Sequence, residues 1–543
     1  MLLPTLALAL VALGQSGSAP ADTVPLYGGL GDHHRDITTS TPAVQAYFDQ
    51  GLRLYYAFNH AEAIRAFREA QRLDSLCAMC FWGEALAWGP NINAAMDSAG
   101  GVAAHVASMR ALAVRSHGSE VERALIGALA LRYAPPAHVT AARGALDSAY
   151  ATAMAEVART YPGDQDVAVL YSESLMDLRP WNYWTRDGAL QPGMANAISR
   201  LERVIESNPK HPGACHFYIH AVEAAHPERA LPCAERLAAL MPGAGHIVHM
   251  PGHIYVRVGR YADAVKANEH AVHADESYIR DQRPGVGVYT AGYYPHNYDF
   301  LAFAAAMAGR ATEAVGAADR QASIVPTEML RVPGMAFLQS HITRHMQLRV
   351  RFARWNEILR APSPPEDLPH AVAMWHYARG RALVATGKIR EADVELARVH
   401  DAVADPRLAG VKLEFNESPT ILSIAEQVLA GDIAYARGER DAAIRHLRAA
   451  AEIEDGLAYG EPPDWTVPVR HDLGAALLAA GRAAEAERAY REDLRRFPSN
   501  GWSLLGLSQA LRAQGRSSES DRAFAEFRRA WSASDVEIAS SRY

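Results

Sequence analysis

At 543 residues the chain is too long for one compact core, so it divides into domains or runs as an elongated repeat array. Its 49% hydrophobic and 21% charged content is that of an ordinary globular protein. A formal net charge of −7 leaves no basic footprint, which argues against nucleic acid as a partner.

Residues 2–13 form an apolar run that is too short to span a bilayer. Ala19-Pro20-Ala21 follows it with the small-x-small spacing of a signal-peptidase site, so residues 1–21 read as a signal peptide. No Lys or Arg precedes the run, a departure that leaves a mis-assigned start or a plain tail as the alternative. No Cys follows it directly, so a lipid anchor is not indicated. The expectation is a periplasmic or secreted protein beginning near Asp22, with no transmembrane segment once the leader is removed.

Residues 22–40 are an extended N-terminal arm holding His33-His34 in a Gly-rich stretch. A flexible arm is the expectation, with folding back as ligands the alternative. Beyond it, Ala, Leu, Arg and Glu recur in helical rhythm with few β-branched runs, which makes the chain all-α. Cys77 and Cys80 have C-x-x-C spacing without a βαβ context or a second such pair. They read as a local disulfide or buried thiols rather than a redox centre. Cys215 and Cys233 fall on the two helices of one hairpin, where a disulfide is geometrically possible.

From Tyr47 the chain places Gly51, Ala63 twelve residues on, Phe67 four further and Ala70 three further. Gly474, Ala486, Tyr490 and Pro498 repeat the offsets twelve and four and then add eight, while Phe524 lies 34 after Tyr490 and Gly515 lies 34 after Gly481. This pattern resembles the tetratricopeptide repeat (TPR), a helix-turn-helix unit of about 34 residues. The resemblance implies a helical solenoid whose first helices line a concave groove, the place to look for function. It covers most of residues 41–530 and is loose between about 95 and 210. Gly259, Gly309, Ala353, Gly387, Gly438, Gly481 and Gly515 mark bends between paired helices, at spacings of 50, 44, 34, 51, 43 and 34. The excess over 34 predicts inserted loops. A first array over 41–355, a Pro-rich loop at 356–370 and a second array over 371–535 complete the expected organisation.

The chemistry concentrates in two adjacent hairpins. His216 and His220 are four apart, as are His249 and His253, so each pair shares a helix face. His246 falls within about 60° of arc of the second pair, and Glu223 on the face of the first. Neutral imidazole is the commonest protein metal ligand, so His216, His220, His246, His249 and His253 are candidate ligands for Zn, Cu or Fe. Met250-Pro251-Gly252 interrupts the second pair and puts its shared face in doubt.

Residues 274–299 read as an inserted stretch bringing Tyr293, Tyr294, Tyr298 and His296. The tyrosines are candidate ligand-binding residues, and His296 with Glu223 are candidate proton carriers. A second irregular segment, 178–188, offers Trp181 and Trp184 to a bound peptide, sugar or aromatic group, although packing against the array is the favoured reading. Glu461, Trp465, Arg470 and His471 belong to a third insertion. His341 and His345 stand in a different phase and read as packing residues. No G-x-S-x-G, H-E-x-x-H, Walker or dinucleotide-binding pattern occurs.

The resulting expectation is an exported TPR-type scaffold that binds a protein, peptide or small molecule in its groove and carries a His-rich transition-metal site. The alternative is a metal-dependent hydrolase or oxidoreductase with its active site at the same histidines.

Overall fold

A computed structural model describes residues 24–135, 143–332 and 335–542; the expected signal peptide lies outside them. Among these residues helix dominates, and the one sheet is a hairpin of Lys412–Leu413 and Asn416–Glu417. The chain is all-α, built of TPR-like helix-turn-helix pairs. No helix among the described residues is long and apolar enough to cross a membrane.

Two compact units divide the chain: Met1–Ile254 with His273–Pro284 form unit 1, and Tyr255–Val272 with Gly285–Tyr543 form unit 2. In unit 1 the helix Pro42–Tyr56 pairs with His60–Leu73, and Ala78–Ala87 stacks on them. In unit 2 four successive pairs follow one another: Pro369–Ala385 with Ile389–Val403, Ser418–Ala436 with Arg440–Gly456, Val469–Ala479 with Ala483–Arg496, and Gly501–Ala513 with Ser517–Ala530.

The repeat residues do what their spacing predicts. Phe67 is wholly buried between Gly51 and Gly83, and a Cβ on Gly51 would lie 2.6 Å from its ring. Tyr490 sits in the same way between Gly474 and Gly506, at whose positions an added Cβ would strike its ring. The missing side chains let helices approach, and one aromatic fills the space between two repeats. All six predicted bend glycines from Gly259 to Gly515 have positive φ, and so does Ala353, at 54°. In the loose region the helices persist through capping rather than repeat residues. Ser119 and Glu122 form a capping box at Glu120–Ala130, and Asp164 accepts from the Val167 N–H at the start of Gln165–Asp177.

Three expectations are corrected. Most of 274–299 is helix rather than loop: Tyr261–Gln282 runs on because no Gly or Pro interrupts it, and Tyr294–Met307 begins almost at once after a π-helical turn at Tyr289–Tyr293. The Pro-rich segment 356–370 is no boundary, because Met346 and Val350 before it share one hydrophobic cluster with Ala378 and Ala382 after it, inside unit 2.

The N-terminal arm is docked, not loose. Tyr27 donates through its hydroxyl to Glu62 at 2.5 Å, the Gly243 N–H donates to the Gly29 carbonyl at 2.8 Å, and Arg35 pairs with Asp164 at 2.8 Å. Both cysteine pairs are disulfides, Cys77–Cys80 and Cys215–Cys233.

Candidate metal centre

The helix Pro212–Val222 contains no Lys, Arg, Asp or Glu and is buried on every side, as an apolar-all-round helix must be. Pro212 starts it, and the His211 ring accepts from the Ala214 N–H at 3.2 Å. Its polar side chains His216 and His220 therefore meet a dry interior, where each nitrogen needs a partner. The Cys215–Cys233 disulfide ties this helix to the next, Leu231–Leu240.

The second histidine pair survives its proline. Pro251 does split the segment into Gly245–His249 and Pro251–Arg257, but Met250 between them keeps helical angles (φ −51°, ψ −36°). His249 and His253 stay neighbours, with ring centroids 4.8 Å apart.

The five imidazoles close into a ring. Going round it, the centroid separations are 5.1 Å from His216 to His220, 5.0 Å to His253, 4.8 Å to His249, 5.6 Å to His246 and 5.0 Å back to His216. Each residue is at most 2% exposed, so none of them meets bulk water. Ligand atoms of His216, His220 and His246 all lie within 4.8 Å of one another.

Three of the rings are aimed from behind. His216 Nδ1 donates to the Tyr56 carbonyl at 2.6 Å, His220 Nδ1 to Glu223 Oε1 at 2.9 Å and His253 Nδ1 to Glu223 Oε2 at 2.6 Å. With the proton on Nδ1, Nε2 carries the lone pair, the arrangement in which an outer hydrogen bond orients a ligating imidazole. The buried Nε2 atoms of His216 and His220 have no hydrogen-bond partner, so a cation fits the donor set.

Electrostatics favour the same state. Burial pushes His216 well below the ordinary imidazole value and lowers His220. Burial raises the Glu223 carboxyl, but His253 and His220 outweigh that effect and hold it at about 2. Burial thus favours the neutral form of His216 and His220, beside an ionised Glu223 carboxylate.

Two aromatics border the ring, each on left-handed backbone: Phe58 at φ 56° and Trp181 at φ 62°. Such a backbone costs about 1–3 kcal/mol for a bulky residue and persists only where its surroundings impose it. Phe58 lies 4.4 Å from the His216 ring and 5.4 Å from that of His246, while Trp181 stands edge-on to His220 at 5.1 Å. The indole N–H of Trp181 donates to Asn93 Oδ1 at 3.0 Å. Sequence reasoning missed Phe58 and Tyr56. Their only local signal is an aromatic cluster, 55–58, where the first helix ends before the Asn59 cap.

A second group lies beside the first in unit 1. Asp166 Oδ1 meets His33 Nε2 at 3.1 Å and His211 Nε2 at 3.3 Å, and accepts from the Tyr56 hydroxyl at 2.6 Å. Arg35 stands 3.3 Å from its other oxygen, so that carboxylate is already neutralised.

Trp184 donates to the Ala221 carbonyl at 2.8 Å, fastening its loop to the histidine helix. Tyr293, Tyr294, Tyr298 and His296 belong to unit 2. There Tyr294 and Tyr298 are buried and pack edge-on at 5.5 Å, and His296 packs on Phe300 at 5.1 Å.

Fold and site together define a helical-repeat protein with a buried imidazole ring. No family profile matches the chain, and no curated protein matches it. Among solved structures it is similar to the human IFIT1 dimer with m7Gppp-AAAA, at 12% identity and a TM-score of 0.30 over 90% of this chain and 91% of that one. The APC/C hetero-tetramer Cut9-Hcn1 aligns at 10% identity and a TM-score of 0.30 over 91% of this chain and 74% of that one. The TPR domain of P58(IPK) aligns at 13% and 0.19 over 68% and 93%. Nothing about this chain's ligand, partner or activity follows from likeness at that level.

Proposed function

We propose that this chain is an exported helical-repeat scaffold that holds a transition-metal ion in the imidazole ring of unit 1 and binds a protein, peptide or small-molecule ligand on its helical surface. The observation that carries the metal reading is the ring itself: five buried imidazoles within 4.8–5.6 Å of their neighbours, three of them anchored through Nδ1. Buried histidines do not converge in this way by packing alone, because the Nε2 atoms of His216 and His220, buried without a hydrogen-bond partner, cost free energy. An all-imidazole set suits Zn, Cu or Fe, and the choice among them rests with the metal content of the native protein. The two disulfides support export, since such bonds persist in oxidising compartments.

The metal-dependent enzyme is the second reading. It is favoured by the presence of five imidazoles where a tetrahedral structural site uses four, and by the partly exposed Trp181 beside them. Burial of every ring favours holding a metal over turnover.

Elemental analysis of the protein purified from its native host tests the proposal. About one equivalent of metal is expected, with a mature N-terminus near Asp22. His220→Ala combined with His253→Ala should abolish that metal while circular dichroism remains helical. Retained stoichiometric metal in the double variant overturns the site, and an intact Met1 overturns the export.

A further inference from the structure

The segment after the last repeat helix of unit 2, residues 533–542, forms neither helix nor strand, yet it is held closely. Successive first helices of the repeat pairs grip it. Gln509, on Gly501–Ala513, donates to the Ala539 carbonyl at 2.7 Å. Ser541 is completely buried: its hydroxyl donates to the His471 carbonyl at 2.7 Å and meets the Tyr490 hydroxyl at 2.7 Å, and Arg351 donates to its carbonyl at 3.3 Å. Arg542 then reaches Asp432 at 3.1 Å and Asp472 at 3.6 Å.

Two features separate this from ordinary tail packing. The contacts read the segment as a peptide is read, through two backbone carbonyls, one buried hydroxyl and one guanidinium. Moreover, Asp432 and Asp472 both pair with Arg381 of the array, at 2.6 and 3.1 Å. Asp432 and Asp472 therefore keep Arg381 as an ion-pair partner when the segment departs.

We propose that this face of unit 2 is a binding site for a peptide segment carrying Ser-Arg, and that residues 539–542 occupy it as a built-in competitor. The partner is a protein presenting an irregular Ser-Arg segment. To bind, it must outcompete a tethered ligand whose effective concentration is on the order of millimolar. The inference deepens the ligand-binding part of the proposed function and is independent of the metal part.

The test uses the full chain and a fluorescein-labelled peptide with the sequence of residues 536–542. In the full-length double variant Ser541→Ala, Arg542→Ala, the amides of residues 538–542 should exchange at least tenfold faster than in the unaltered protein. That variant should also bind the peptide at least tenfold more tightly than the unaltered protein, and the same peptide with Arg542→Ala should lose the binding. Equal peptide affinity for both chains, or unchanged exchange, overturns the proposal. Should the variant lose helicity, the unaltered protein decides: several millimolar unlabelled peptide must speed exchange of its own 538–542 amides, and no change overturns the idea. Metal content measured on the same samples separates the two readings, since loss of peptide binding with metal intact sinks only this one.

Discussion

His220 and His253, thirty-three residues apart, are held by the same carboxylate, each donating from Nδ1 to one oxygen of Glu223, at 2.9 and 2.6 Å. One side chain thereby sets the tautomer and orientation of a ring on each of two helices. Neither histidine pair could do this alone, because residues on one helix share a face but do not fix one another's tilt.

Glu223→Gln should therefore weaken metal binding without removing a ligand. The amide keeps one acceptor and presents a donor to the other imidazole, so one of the two rings loses its anchor. Loss of such an outer partner costs roughly 10–100-fold in affinity. Competition titration against a chelator of known affinity measures it, and an unchanged constant would show that the carboxylate does not orient the ring.

Phe58→Ala should destabilise unit 1 by about 3 kcal/mol, the low end for removing a buried phenyl ring. Phe58 is 2% exposed and packs on His216 and His246, so slower metal uptake or weaker retention should accompany the loss. Denaturant unfolding followed in unit 1 checks the first expectation, and chelator challenge the second.

A pair of glycine substitutions separates repeat packing from helix propensity. Gly51→Ala puts a methyl 2.6 Å from the Phe67 ring, inside a contact with no spare volume, and should cost about 1–3 kcal/mol. Gly127, within the helix Glu120–Ala130, has nothing within 4 Å of an added Cβ, so Gly127→Ala should stabilise by about 0.5–1 kcal/mol. Thermal midpoints moving in the same direction would refute the role given to Gly51.

Unit 2 should lose stability on mild acidification. Burial, aided by the charge of Arg344, pulls His370 down to about 3, and burial with Arg349 pulls His345 down to about 4. Both values lie below the unfolded imidazole near 6.5, so folding favours the neutral form. The contribution is complete above pH 6.5 and declines as pH falls towards the folded values, at about 1.4 kcal/mol per pH unit for each group. Hydrogen exchange in the Pro369–Ala385 helix at pH 7 and 5 reads it, and His370→Gln should flatten the slope.

The sequence alone determined the local architecture of this protein. Helix-turn-helix pairing followed from the twelve-and-four spacing of Gly51, Ala63 and Phe67, since small residues and an aromatic at those offsets pack paired helices in one way. The bends followed from glycines able to take positive φ. The five histidines were legible too, because a spacing of three, four or seven on a helix fixes a common face. Tertiary structure decided everything that joins distant segments. Pairing the histidine helices side by side let Glu223 bridge them, docking the first hairpin brought the Tyr56 carbonyl and the Phe58 ring to His216, and the final segment found acceptors and donors on helices up to 190 residues away. Periodicity carries no information about such partners. It reports which face of a helix is buried, while the identity of what lies against that face depends on how far each repeat is rotated and displaced from the last.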